Sequence, residues 1–123
     1  MSIDDKQLQV CASESLTEKS FVIVDLLYKG APHSGIVLRF QGRILAYLNQ
    51  CVHMPRRLNC ERDTIFDAQQ EKLRCSMHGI VYDPCSGESL STLCQGERLQ
   101  ALRIHEADGH IYIRDKRVMP TGI

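Results

Sequence analysis

Two short segments carry side chains that could together hold metal. Cys51-Val52-His53 and Cys75-Ser76-Met77-His78 each offer one thiol and one imidazole, in the spacings Cys-x-His and Cys-x-x-His. Two cysteines alone would suit a disulfide or a redox dithiol, and two histidines alone would suit many chemistries. One of each per segment makes a four-ligand site of mixed sulfur and nitrogen. That donor set fits a single zinc ion of the Cys₂His₂ type, or a two-iron cluster in which each iron has its own ligand type. The tight Cys-x-His spacing is unusual for zinc. Gly79, directly behind His78, lacks a Cβ and lets the chain turn beside a metal.

The segments around these motifs read as strands and turns. Residues 12–19 suit a short turn or one helical turn with Ser13 or Ser15 as cap. Phe21 to Tyr28 is a β-branched run ended by Lys29-Gly30-Ala31-Pro32, and Gly35 to Phe40 follows as an adjacent strand. Gln41-Gly42 predicts a two-residue hairpin turn into Arg43–Asn49, whose alternation leads straight to the first motif. Thr64–Asp67 and Lys72–Arg74 predict a short hairpin that delivers the chain to Cys75. Gly79–Tyr82 leaves the second motif as a strand, Asp83 to Gly87 turns, and residues 91–96 are expected to lie back over the metal. Leu99–His105 and His110–Arg114 form a final hairpin around Asp108-Gly109. Both motifs therefore hang from strand ends.

A chain of 123 residues fits one domain, here residues 1–123. Its apolar content of 43% supports a core, and with 6% aromatics and no Trp that core is built from Leu, Ile and Val, enough for a small β-sandwich. Lys+Arg and Asp+Glu are both 15, so the basic excess that neutralises phosphates is missing and nucleic acid is not an expected partner. The start, Met1-Ser2-Ile3-Asp4-Asp5, is acidic where a secretory signal is basic and then apolar, and no segment reaches 18 apolar residues. A cytoplasmic protein with no membrane association is expected. Cys11, Cys60, Cys85 and Cys94 show no paired spacing and read as thiols in a reducing compartment, with a conditional Cys85–Cys94 disulfide as the less favoured reading. His33, His105 and His110 read as structural. Arg56, Arg57, Arg62 and Arg74, near the motifs, read either as a solvated surface or as docking groups for an acidic partner.

Across nearly its whole length the chain resembles the Rieske 2Fe-2S proteins, through both motifs, Gly79, Tyr82-Asp83, Gly87 and the stretch from Gly96 to Leu99. The resemblance implies an all-β fold, a Rieske-type antiparallel β-sandwich with a small cluster-binding subdomain of two loops at about residues 50–83. It implies one 2Fe-2S cluster per chain, with Cys51 and Cys75 on one iron and His53 and His78 on the other. Gly79 and Tyr82 complete the cofactor-binding set. Two ferric ions, two sulfides and two thiolates sum to zero charge, so an added electron meets less repulsion than in an all-cysteine cluster, and the potential is higher.

High-potential family members add a serine two residues past the last histidine, and a disulfide that braces the loops. Here Ile80 stands at the serine position, and Arg56 and Met77 stand at the two cysteine positions. The resemblance thus implies a ferredoxin-like carrier of low to intermediate potential that falls with pH. It would take electrons from a flavin reductase and pass them to an oxygenase or similar terminal component. Such a chain is not itself an enzyme and needs no pocket for a small-molecule substrate. Alternative readings are a non-catalytic redox subunit, comparable to the small subunit of nitrite reductase, or a cluster-based oxidant sensor.

Overall fold

The alternating and β-branched runs become strands. The computed structural model describes residues 8–50, 58, 64–75, 80–91 and 97–121. Among these residues the strands are β1 (Leu8–Ala12), β2 (Phe21–Tyr28), β3 (Ala31–Phe40), β4 (Arg43–Leu48), β5 (Leu73–Arg74), β6 (Val81–Tyr82), β7 (Ile104–Ala107), β8 (His110–Ile113) and β9 (Val118–Met119), with a 3₁₀ turn at Ser13–Ser15. All pairings are antiparallel. The chain divides into two units, residues 1–48 with 102–123, and residues 49–101.

The first unit holds two sheets, of order β4-β3-β2-β9 and β1-β8-β7. Their shared core is Leu16, Leu26, Val37, Ala46, Leu48, Leu102, Ile111, Ile113 and Val118. Each fully buried Leu or Ile in such a core contributes about 1.5–3 kcal/mol, more than an exposed ion pair, so these residues and not surface charges dominate the stability of the unit. Gly35 lies where the packing is tightest. A Cβ there would stand 3.0 Å from Leu26 Cδ2 and 3.3 Å from Leu102 Cδ1, so a larger residue would push the core apart.

The turns follow local chemistry. Gln41 and Gly42, at φ of 52° and 75°, make the left-handed pair that a two-residue hairpin requires. The Glu18 carboxylate accepts the N–H groups of Gln41 and Gly42 at 2.6 and 2.9 Å. Those two bonds, that from Gly42 first, hold its pKa below the usual value. Asp108-Gly109 closes β7 and β8 in the same manner.

Five features differ from the expectation. Strand β1 was not foreseen. It pairs with β8 and carries a bulge at Val10, where the register shifts between Gln9 and Cys11. Strand β9 is only two residues long and gains its order from pairing with Leu27 and Tyr28. Neither Ser13 nor Ser15 caps the turn; Ala12 holds the cap position, and Ser15 Oγ donates to Ala12 O at 2.7 Å. Strand β3 begins at Ala31, ahead of the expected Gly35, and runs through Pro32 opposite Leu27. Proline is tolerated because β4 first pairs at Gly35, which leaves β3 an edge at Pro32. The last hairpin begins at Ile104 and not at Leu99, whose N–H is instead spent on Gly87 O at 2.9 Å.

Candidate metal centre

The second motif emerges from a ladder of short rungs in residues 49–101. Arg74 N–H donates to Ile65 O at 2.7 Å and Phe66 bridges Leu73. Leu73 pairs with Tyr82 and Arg74 with Val81. Tyr82 bridges Ser89, Leu90 N–H donates to Val81 O at 2.7 Å, and Glu88 bridges Arg98. The 67–72 turn is tied by Asp67, whose Oδ1 accepts the N–H groups of Glu71 and Lys72 at 2.9 and 3.2 Å. Asp83 does the same beyond β6, accepting from Cys85 N–H and Ser86 Oγ, both at 3.1 Å.

Cys75 stands at the tip of this ladder. It is 1% exposed and follows β5 directly. Its N–H donates to Ile80 O at 2.8 Å, one rung beyond the Arg74–Val81 pair, so a backbone bond closes the span that carries Cys75 and His78. Burial suits a neutral cysteine as well as a ligand, whereas a thiolate at this depth would need a cation beside it; the chemistry of two thiolates with two imidazoles fits a mixed-ligand cluster. Tyr82, on β6, is fully buried between Leu73 and Ser89. Of the other predicted site residues, Cys51, His53, His78 and Gly79 lie outside the described residues, as do Arg56, Arg57, Arg62, Cys60, Cys94 and residues 92–96.

The first motif has a closure that the sequence reading passed over. Asn49, 3% exposed, follows β4, and its Oδ1 accepts the N–H of the fully buried Leu58 at 2.9 Å. An asparagine at a strand end just before a loop is the one signal that could have suggested it, since its short side chain readily accepts backbone N–H groups. A second unforeseen contact is Ser91 Oγ, which accepts Val81 N–H at 3.0 Å beside the ladder. Arg74 is half-buried at the end of β5.

The three scattered histidines occupy the sandwich unit. His33 packs edge-on to Tyr28, with ring centroids 6.1 Å apart, while His105 and His110 each lie 6.5 Å from the Tyr112 ring. Among the described residues no helix is long and apolar enough to cross a membrane.

Comparison with curated proteins found no match. Among solved structures, the chain is similar to the ferredoxin of carbazole 1,9a-dioxygenase from Nocardioides aromaticivorans IC177, at 19% identity and a TM-score of 0.69, over 91% of this chain and 100% of that one. It is similar to a chain in the complex of reduced oxygenase and oxidized ferredoxin in carbazole 1,9a-dioxygenase, at 21% identity and a TM-score of 0.69, over 92% and 97% of the two chains. A third likeness, in the reduced complex between oxygenase and ferredoxin in carbazole 1,9a-dioxygenase, has 19% identity and a TM-score of 0.69 over 89% of this chain, which spans only 28% of the length of that one. At these identities the likeness is one of fold. The Rieske [2Fe-2S] domain family itself matches residues 6–104. With most of the chain inside that match, and with its buried cysteine at the tip of a clasped hairpin, the protein belongs to the Rieske [2Fe-2S] domain family and its cofactor is a 2Fe-2S cluster.

Proposed function

We propose that this chain is a one-electron carrier, with Cys51 and Cys75 on one iron of a single cluster and His53 and His78 on the other. The observation that carries the reading is Cys75, a buried donor held at the end of β5 by its own backbone bond to Ile80. When bound, the cluster supplies one reversible electron. The chain's own residues hold and shield it: the ladder from Ile65 to Arg98 fixes the second donor segment, and burial of Cys75 keeps water from the thiolate. The Tyr82 hydroxyl is assigned as a hydrogen-bond donor toward a cluster sulfur. One structure to which this chain is similar, over 91% of its own length and 100% of the other's, is a ferredoxin, and other similar chains come from complexes of a ferredoxin with its oxygenase. By that analogy the acceptor is an oxygenase or similar terminal component, while the Rieske resemblance of the sequence implies a flavin reductase as donor, with Arg74, half-buried at the end of β5, as one docking group for an acidic partner. A carrier, not a catalyst, is the result, working in the reducing cytoplasm, where the half-buried Cys11 remains a free thiol.

Purification without air followed by iron and sulfide analysis tests this. Two irons and two sulfides per chain, an EPR signal on reduction with the average g of mixed ligation, and repeated reversible reduction are the expected results. A colourless protein holding one zinc would overturn the reading.

A further inference from the structure

We propose that Asn49 is a positioning residue for the first ligand pair, its buried carboxamide fastening the chain before Cys51 to the chain after His53. The proposal rests on the ligand assignment above. The two donor segments are closed by different means. The second lies between strands β5 and β6 and is shut by a backbone bond, Cys75 N–H to Ile80 O at 2.8 Å. The first leaves β4, and among the described residues its closure is a side-chain bond, Asn49 Oδ1 accepting Leu58 N–H at 2.9 Å across nine positions. Both ends are buried, Asn49 at 3% exposure and Leu58 at 0%. Solvent therefore cannot replace the bond, and losing it leaves the Leu58 N–H without that acceptor in the interior. Every donor from the first segment lies inside this closed span, so the carboxamide limits the freedom of one thiolate and one imidazole together. That freedom is an entropy the metal must otherwise remove when it binds. Groups that hydrogen-bond a metal's ligands are typically worth a factor of ten or more in metal affinity, and Asn49, which bonds the backbone flanking the ligands, is expected to act on that scale.

The test uses cluster-loaded full-length protein and two variants. Asn49→Ala removes the acceptor, whereas Asn49→Asp keeps an oxygen at the same reach. Iron release from the oxidised protein to an excess of a ferric-iron chelator is timed without reductant, and the EPR spectrum of the reduced protein is recorded separately. Asn49→Ala is expected to release iron roughly 10- to 100-fold faster, with a changed g-tensor, and Asn49→Asp to release it at close to the wild-type rate. Asn49→Ser, whose hydroxyl is too short to reach, gives the same reading where the alanine variant does not fold. Melting of the cluster-free proteins separates loop positioning from general loss of stability, because positioning predicts a change in iron release well beyond any change in melting. Release and EPR unchanged in Asn49→Ala would overturn the proposal, as would Asn49→Asp releasing iron as fast as Asn49→Ala. Wild-type protein without acid-labile sulfide would instead refute the ligand assignment, before any variant is compared.

Discussion

Asp115→Ala should destabilise the sandwich unit by about 3 kcal/mol at neutral pH, a magnitude that follows from the contacts of one carboxylate. Asp115 is 6% exposed, and it accepts Arg103 N–H at 3.0 Å, Arg117 N–H at 3.0 Å, Arg117 Nε at 2.8 Å and Arg117 Nη2 at 2.7 Å. Removing it takes that acceptor from the backbone N–H groups of Arg103 and Arg117, whose bonds are part-buried, so each is taken at the low end of the about 1–3 kcal/mol that an unpaired buried donor costs. The guanidinium contributes less. Its side chain is 35% exposed, and it keeps the Tyr28 hydroxyl at 3.2 Å, so water and tyrosine compensate it in part. The sum lies near the lower end of two unsatisfied donors plus a discounted ion pair, and corresponds to a fall in melting temperature of roughly 10 °C for a domain of this size.

The effect must also depend on pH. The side-chain bond from Arg117, followed by the backbone bonds from Arg103 and Arg117, holds the folded-state pKa of Asp115 well below its ordinary 3.8. With the folded pKa depressed, the unfolded chain binds the proton first as pH falls, so the stabilisation is fully present above the ordinary value and is lost progressively below it. Thermal unfolding by circular dichroism at pH 7 and at about pH 2 reads both arms, and the gap between wild type and variant should narrow at the lower pH. A variant that melts within a degree or two of wild type at pH 7, or a gap that is independent of pH, would refute the reasoning.

Gly35→Ala should cost about 1–3 kcal/mol, because its Cβ would meet Leu26 Cδ2 at 3.0 Å in a packed core; an unchanged urea midpoint would show that the core yields. Cys75→Ser should abolish cluster retention while leaving the sandwich folded, as read by iron content and circular dichroism; retention of two irons would remove Cys75 from the ligand set. Tyr82→Phe should lower the reduction potential by tens of millivolts, and an unchanged voltammogram would show that the hydroxyl does not reach a sulfur.

The metal motif stands out because its information is chemical and local: a thiol and an imidazole with one or two residues between them, twice, suggest a donor set whatever the surrounding fold. The turns at Gln41-Gly42 and Asp108-Gly109 were legible for a similar reason, since each depends on backbone freedom within two residues. So were the long strands, whose apolar pattern repeats often enough to be read. What escaped were features with distant partners. Strand β1 pairs with His110–Ile113, and β9 with Leu27 and Tyr28, so neither has a periodic run long enough to announce it. Glu18 tethers a turn 23 residues away, and Asp115 gathers Arg103 from 12 residues back.

By itself, the sequence determined the all-β character and the turn positions, and it proposed the donor set. Only the tertiary structure decided that Cys75 is buried, that Asn49 grips Leu58, and that Pro32 sits at an edge. The reason is physical: short-range preferences are written into each residue's backbone and side-chain chemistry, whereas burial and hydrogen-bond partnership exist only once segments far apart in the chain have met.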